Sequence, residues 1–229
     1  AYRINPLYYE NLTSLLNDTS EEAVDEAEKI LSQMRKNAYS LETDSGKADM
    51  ITGKVVANMQ WSGDAVYTMD QAEEDDFILN YSVPVECTNL WFDGWVMMKD
   101  GLSEDERKKD AAEAFINFIS MPENVVRNMY YIGYTSAISG GESSLVKEYL
   151  EYLYGAEEDE DTCEYDISYF FGEDFVLNCP AEQTKRQLFA QYPTEDVIKR
   201  AVVMSHFDDE ANERIMSMWT NIRCFDLFD

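Results

Sequence analysis

Apolar positions along this chain fall mainly at helical spacing, interrupted by short stretches of strand character. Thr19-Ser20-Glu21-Glu22 reads as a capping box, with Thr19 at the N-cap and Glu22 three residues on, so that each satisfies an orphan backbone donor of the other. Ala23, Ala27, Ile30, Leu31 and Met34 then form the apolar stripe of an amphipathic helix. A short helix is predicted around Asp44 to Ile51, ending at Gly53. Lys54 to Gln60 is strand-like. After Trp61-Ser62-Gly63-Asp64 a helix is predicted from Ala65 to about Gln71. Phe77 to Val83 alternates as a strand and is stopped by Pro84. The next strand is Asn89-Leu90-Trp91-Phe92-Asp93-Gly94-Trp95, carried on through Val96-Met97-Met98.

Ser103-Glu104-Asp105-Glu106 is a second capping box, opening a helix whose Ala111, Ala114, Phe115, Phe118 and Ile119 face a core. Pro122 suits the first position of another helix, Glu123 to Tyr131, because its missing N–H would have no partner there; this helix ends at Gly133. Further helices are predicted at Glu142 to Tyr154, Ala181 to Gln191, Thr194 to Val203 and Glu210 to Arg223. Glu157 to Asp161 is an acidic run read as solvated loop. Strands alternating with helices, without internal repeats or a long linker, predict an α/β architecture.

Composition narrows the function classes. The 229 residues suffice for one large domain or two small ones, and 45% hydrophobic with 13% aromatic content fits a folded chain. A formal charge of −28 repels nucleic acid and anionic headgroups and concentrates cations, although acidity also serves solubility alone. The four cysteines, Cys87, Cys163, Cys179 and Cys224, include no C-x-x-C pair. With His206 as the single histidine, neither a zinc site nor a His-based triad is expected, and no metal or cofactor is invoked. Cys163 with Cys179 would close a short loop around an acidic segment; free buried thiols fit equally well. No apolar run approaches the roughly 18–20 residues of a membrane span. Ala1-Tyr2-Arg3-Ile4-Asn5-Pro6 does not read as a signal peptide.

Candidate chemistry lies in three places. Side chains two apart on a strand share a face, so Trp91, Asp93 and Trp95 would line one surface, where a carboxylate between indoles suits a small organic cation. The plain alternative is a core strand whose Asp93 caps a turn or pairs with a lysine. Met59-Gln60-Trp61-Ser62-Gly63-Asp64 is a strand-to-helix turn, where α/β proteins bind ligands at freed backbone N–H groups. The alternative there is an ordinary turn with Trp61 in the core. Ile132-Gly133-Tyr134-Thr135-Ser136 is a glycine-ended helix running into a tyrosine loop, or a glycine C-cap and nothing more.

In order, the strand ending in Trp61-Ser62-Gly63-Asp64, the Asn89–Trp95 phrase, Ala114-Phe115-Ile116-Asn117-Phe118-Ile119 with Pro122-Glu123-Asn124, and Ile132–Ser136 resemble the periplasmic spermidine/putrescine-binding proteins of polyamine ABC transporters. Gln191-Tyr192-Pro193, Val197-Ile198-Lys199 and Met218-Trp219 extend the resemblance. It runs from about Asn11 to Arg223, with an enlarged insertion between about Glu142 and Gln187. It implies an α/β fold of periplasmic-binding-protein-like lobes, a mixed sheet flanked by helices, with ligand in a cleft between two lobes. Residues 1–86 would be a second-lobe segment, 87–139 the crossover into the first lobe and back, and 140–229 the second-lobe return. The first lobe would be largely missing, making the chain a fragment of a longer polypeptide.

Carried over residue by residue, the resemblance puts Trp61 and Trp91 against the polyamine's methylenes and Asp93 on an ammonium group. Tyr134 would contribute its ring or hydroxyl, and Asp64 an additional acid. The family's late glutamine contact falls at about Met204, a departure that bears on putrescine versus spermidine. The implied role is a solute-binding component of an ABC transporter, not an enzyme, working outside the cytoplasm. Its partners would be a polyamine and the permease, with the membrane reached only through the permease or an upstream anchor. As a fragment it would bind polyamine weakly and self-associate. Two other readings compete: a carbohydrate-active enzyme using paired carboxylates such as Asp93 and Asp64, and a permease-docking domain without ligand.

Overall fold

The computed structural model describes residues 12–102, 105–157 and 161–224. The fold is α/β. Along the chain run α1 (Leu12–Leu16), α2 (Glu21–Arg35), α3 (Gly46–Ile51), α4 (Ser62–Glu74), β1 (Thr88–Leu90), α5 (Lys99–Leu102) and α6 (Glu106–Ile119). There follow α7 (Pro122–Ile132), α8 (Leu145–Tyr154), β2 (Thr162–Asp166), α9 (Ser168–Phe171) and β3 (Val176–Pro180). A 3-10 turn (Ala181–Lys185), α10 (Gln187–Gln191), α11 (Glu195–Lys199), β4 (Ala201–Val203) and α12 (Asp209–Cys224) complete the order. The chain divides into two compact units: the described parts of Ala1–Gly46, Val83–Trp91 and Val197–Asp229, and a larger unit of Lys47–Ser82 and Phe92–Asp196.

In the first unit α2 packs on α12, burying Val24, Ala211 and Ile222. Ser20, not Thr19, caps α2: its hydroxyl accepts from the Ala23 N–H at 3.3 Å, which starts the helix one residue later than the capping-box reading. Asn221 Nδ2 donates to Glu28 at 3.0 Å across the helix pair. β1 and β4 form a short parallel ladder with Asn89 opposite Val202. The helix predicted from Thr194 to Val203 therefore stops at Lys199 and gives way to strand, where the β-branched Val202 and Val203 fit a pleated surface.

The larger unit holds the main cores. Leu150 and Tyr154 of α8, Tyr165 and Leu177 of the β2–β3 hairpin, and Leu188 and Tyr192 bury one another. The segment read as an enlarged insertion thus supplies much of this cluster. Ala65, Val66 and Met69 of α4 bury with Ala190. Val125 and Met129 of α7 pack on Val146 and Tyr149. Pro122 does open α7, and Gly133 closes it in the left-handed region at φ 73°, a conformation that costs glycine little. The helix after the second capping box starts at Asp105, whose carboxylate accepts from the Arg107 N–H; Ser103 and Glu104 lie outside the described residues.

Two predicted strands do not form, and the one predicted from Asn89 to Met98 pairs only as far as Leu90. Lys54–Gln60, Phe77–Val83 and the run from Trp91 to Met98 have no ladder among the described residues. A strand needs a partner for its backbone groups, and β4 offers β1 only three positions. Phe77–Val83 keeps an inward pair, Leu79 and Tyr81, against the α4 core, with the Tyr81 N–H donating to Lys185 O at 2.8 Å. The predicted core face of α6 stays open: Phe115 and Phe118 are 48% and 54% exposed.

Candidate functional site

Trp61 and Asp64 are set by the start of α4. Trp61 is its N-cap residue in extended conformation, makes no capping bond through its side chain, and leaves its ring 48% exposed. Asp64 sits in the first turn, where unpaired N–H groups and the helix dipole favour a carboxylate. Lys47 Nζ, from α3, lies 3.1 Å from Asp64 Oδ1, and both side chains are largely shielded from water. The backbone carbonyl of Asp64 accepts from the buried Thr68 hydroxyl at 2.7 Å, which Gln60 Nε2 contacts in turn at 3.3 Å.

Tyr134 follows the left-handed Gly133 and lays its ring against Gly63, so closely that a Cβ at position 63 would fall among the ring carbons. The Tyr134 hydroxyl accepts from the Asp64 N–H and donates to the Asp64 carboxylate. Burial, then the negative charge of Asp64, then the more distant Asp93, push its pKa up to about 12. The hydroxyl therefore remains a proton donor at any physiological pH. Asp93 is exposed and within electrostatic range of that hydroxyl.

The loop carrying Tyr134 is clasped on both sides by one residue. Gln191 Nε2 donates to Gly133 O at 2.8 Å, and the Thr135 hydroxyl donates to Gln191 O at 2.7 Å. The Tyr154 hydroxyl fixes the amide by donating to Gln191 Oε1 at 2.6 Å. Gln191 is itself buried, so these bonds are shielded from competing water.

Of the residues singled out from sequence, Asp64 and Tyr134 are in direct contact, Trp61 opens the same helix, and Asp93 lies near the tyrosine. Trp91 is half-buried and ends the Val83–Trp91 segment of the first unit. The shared strand face of Trp91, Asp93 and Trp95 is not formed, because β1 ends at Leu90. Trp95 instead meets Phe115 edge-on at 5.3 Å. Lys47 and Gln191 were not among the candidates. In a chain with 18 basic against 46 acidic residues, a lysine near an apolar helix was a signal for an internal ion pair. Gln191 belongs to the Gln191-Tyr192-Pro193 motif, which gives no hint of its role from sequence.

The arrangement is a set of acceptors for cations. It offers a shielded carboxylate that already holds an alkylammonium, a second exposed carboxylate, a fixed phenol and a half-exposed indole. A sequence model described as bacterial extracellular solute-binding protein matches residues 8–166, more than half of the chain.

Proposed function

As this chain belongs to the bacterial extracellular solute-binding proteins, which serve ABC transporters as substrate-binding components outside the cytoplasm, we propose that its solute is a polyamine such as spermidine or putrescine. Asp93 and Asp64 would take ammonium groups, Trp61 would lie along the methylenes, and Tyr134 would orient Asp64. Trp91 is the other indole that the sequence resemblance assigns to the ligand.

The observation that carries the reading is the Lys47–Asp64 pair beside Tyr134: a primary ammonium on a four-carbon stem is already accommodated there. A diamine of that stem length offers the same group in the same chemistry. The net charge of −28 adds a long-range attraction for cations. Binding of this kind needs placed charges and aromatic walls and no reaction of its own.

The test is calorimetry on the intact protein. Asp93→Asn should weaken spermidine or putrescine binding by roughly 1.5–3 kcal/mol, the value of a hydrogen bond to a charged group. Trp61→Ala should cost on the order of 0.5–2 kcal/mol of cation–π attraction. Unchanged affinity in both variants would remove these residues from the site. Incubation with oligosaccharides in parallel should yield no hydrolysis product.

A further inference from the structure

The β2–β3 hairpin carries two cysteines that the cation site does not use. In its antiparallel register Cys163 stands directly opposite Cys179, and their Sγ atoms are 3.8 Å apart. Directly opposed residues on such a ladder have Cα atoms about 4.5–5.5 Å apart, inside the span of about 4.4–6.8 Å that a disulfide bridges. The backbone thus already suits a bond, and side-chain rotation is what remains. Cys179 is fully buried in the main core cluster and Cys163 lies at its edge, half-buried. The family acts outside the cytoplasm, where thiols meet oxidants. We propose that Cys163 and Cys179 are joined by a disulfide in the exported protein.

The bond forms by thiol–disulfide exchange with an extracytoplasmic oxidant of the protein-disulfide class. The Cys163 thiolate attacks a sulfur of the oxidant's disulfide and expels the other as thiolate. Cys179 then attacks the Cys163 sulfur of the mixed disulfide and releases the oxidant as a dithiol. Two electrons and two protons leave the cysteine pair and reduce the oxidant. Access sets the order, since Cys163 is reachable and Cys179 is not. Burial, and then the hydrogen bond with Cys163, push the Cys179 thiol up to about 12, so the fully packed hairpin reoxidises slowly near neutral pH. The bridge pins β3, which leads through the 3-10 turn into α10 and Gln191, the residue that clasps the Tyr134 loop.

The intact protein, exported through an oxidising compartment, is unfolded in iodoacetamide without reductant and then cleaved after glutamate. Glu173 lies between the two cysteines and is exposed. The expected result is that Cys163 and Cys179 escape alkylation and that the two peptides carrying them, which cleavage after Glu164 and Glu173 separates, stay joined until dithiothreitol is added. A Cys163→Ser variant should expose Cys179 to alkylation and lose the fall in Tm that reductant causes in the parent. Complete alkylation of both residues without reductant, or linkage of either to a different cysteine, overturns the proposal. The peptide map of the parent protein decides the matter even if the variant does not accumulate.

Discussion

Gly63→Ala probes the contact that builds the candidate site. Gly63 is buried in the first turn of α4 with a backbone that alanine adopts freely, so on helix propensity alone the change should stabilise by about 0.5–1 kcal/mol. The added Cβ, however, would meet Cγ, Cδ2 and Cε2 of Tyr134. Because Cγ is among them, no tip rotation relieves the overlap: the whole ring must move, and overpacking of this kind costs about 1–3 kcal/mol. The difference is a net loss of up to about 2.5 kcal/mol, or a fall in Tm of up to about 10 °C for a chain of this size. The displaced hydroxyl would also leave the Asp64 carboxylate, so polyamine affinity should fall with stability. Thermal and denaturant unfolding of a double-mutant cycle provide the assay. In a Tyr134→Ala background the ring is gone and Gly63→Ala should turn neutral or stabilising. Equal destabilisation in both backgrounds, or stabilisation in the parent, would refute the reasoning.

Three further outcomes follow from the same geometry. Gln191→Leu should destabilise by about 1–3 kcal/mol in urea, since the Tyr154 hydroxyl would be left buried without its partner and the half-buried Gly133 carbonyl would lose its donor. Raising the pH should weaken the fold: Tyr134, Tyr149 and Tyr169 are held protonated up to about 12, against an ordinary value of 10.0. The folded state therefore binds more protons above that ordinary value, and stability present below it is lost as pH climbs toward 12. Denaturation midpoints between these limits should fall, and less steeply in Tyr134→Phe. Lys47→Met should tighten spermidine binding in calorimetry by freeing Asp64, with an unchanged affinity counting against the lysine as an internal competitor.

Where a structural signal was local, the sequence carried it. Pro122 and Gly133 bound α7 as expected because a missing N–H and a positive φ are properties of single residues. Strands were harder, since alternation states a preference and the partner decides. Phe77–Val83 and Trp91–Met98 alternate yet have no ladder among the described residues. The unpredicted hairpin pairs Cys163 and Tyr165 with Cys179 and Leu177, an alternation hidden behind an acidic run and aromatic residues. The site followed the same rule. Asp64 and Tyr134 were legible from the turn and the glycine that hold them. Lys47 reaches Asp64 from 17 residues away, and Gln191 reaches Gly133, next to Tyr134, from 58, through contacts that only the fold creates.

The polyamine reading turns on a titration of the intact protein with spermidine, with a neutral diol of matching length as control. Saturable spermidine binding that weakens in Asp64→Asn and Asp93→Asn and declines with added salt is the expected result, because the attraction of the exposed Asp93 and of the acidic surface is screened over about 8–10 Å. Absence of spermidine and putrescine binding, or equal binding of the diol, would contradict it.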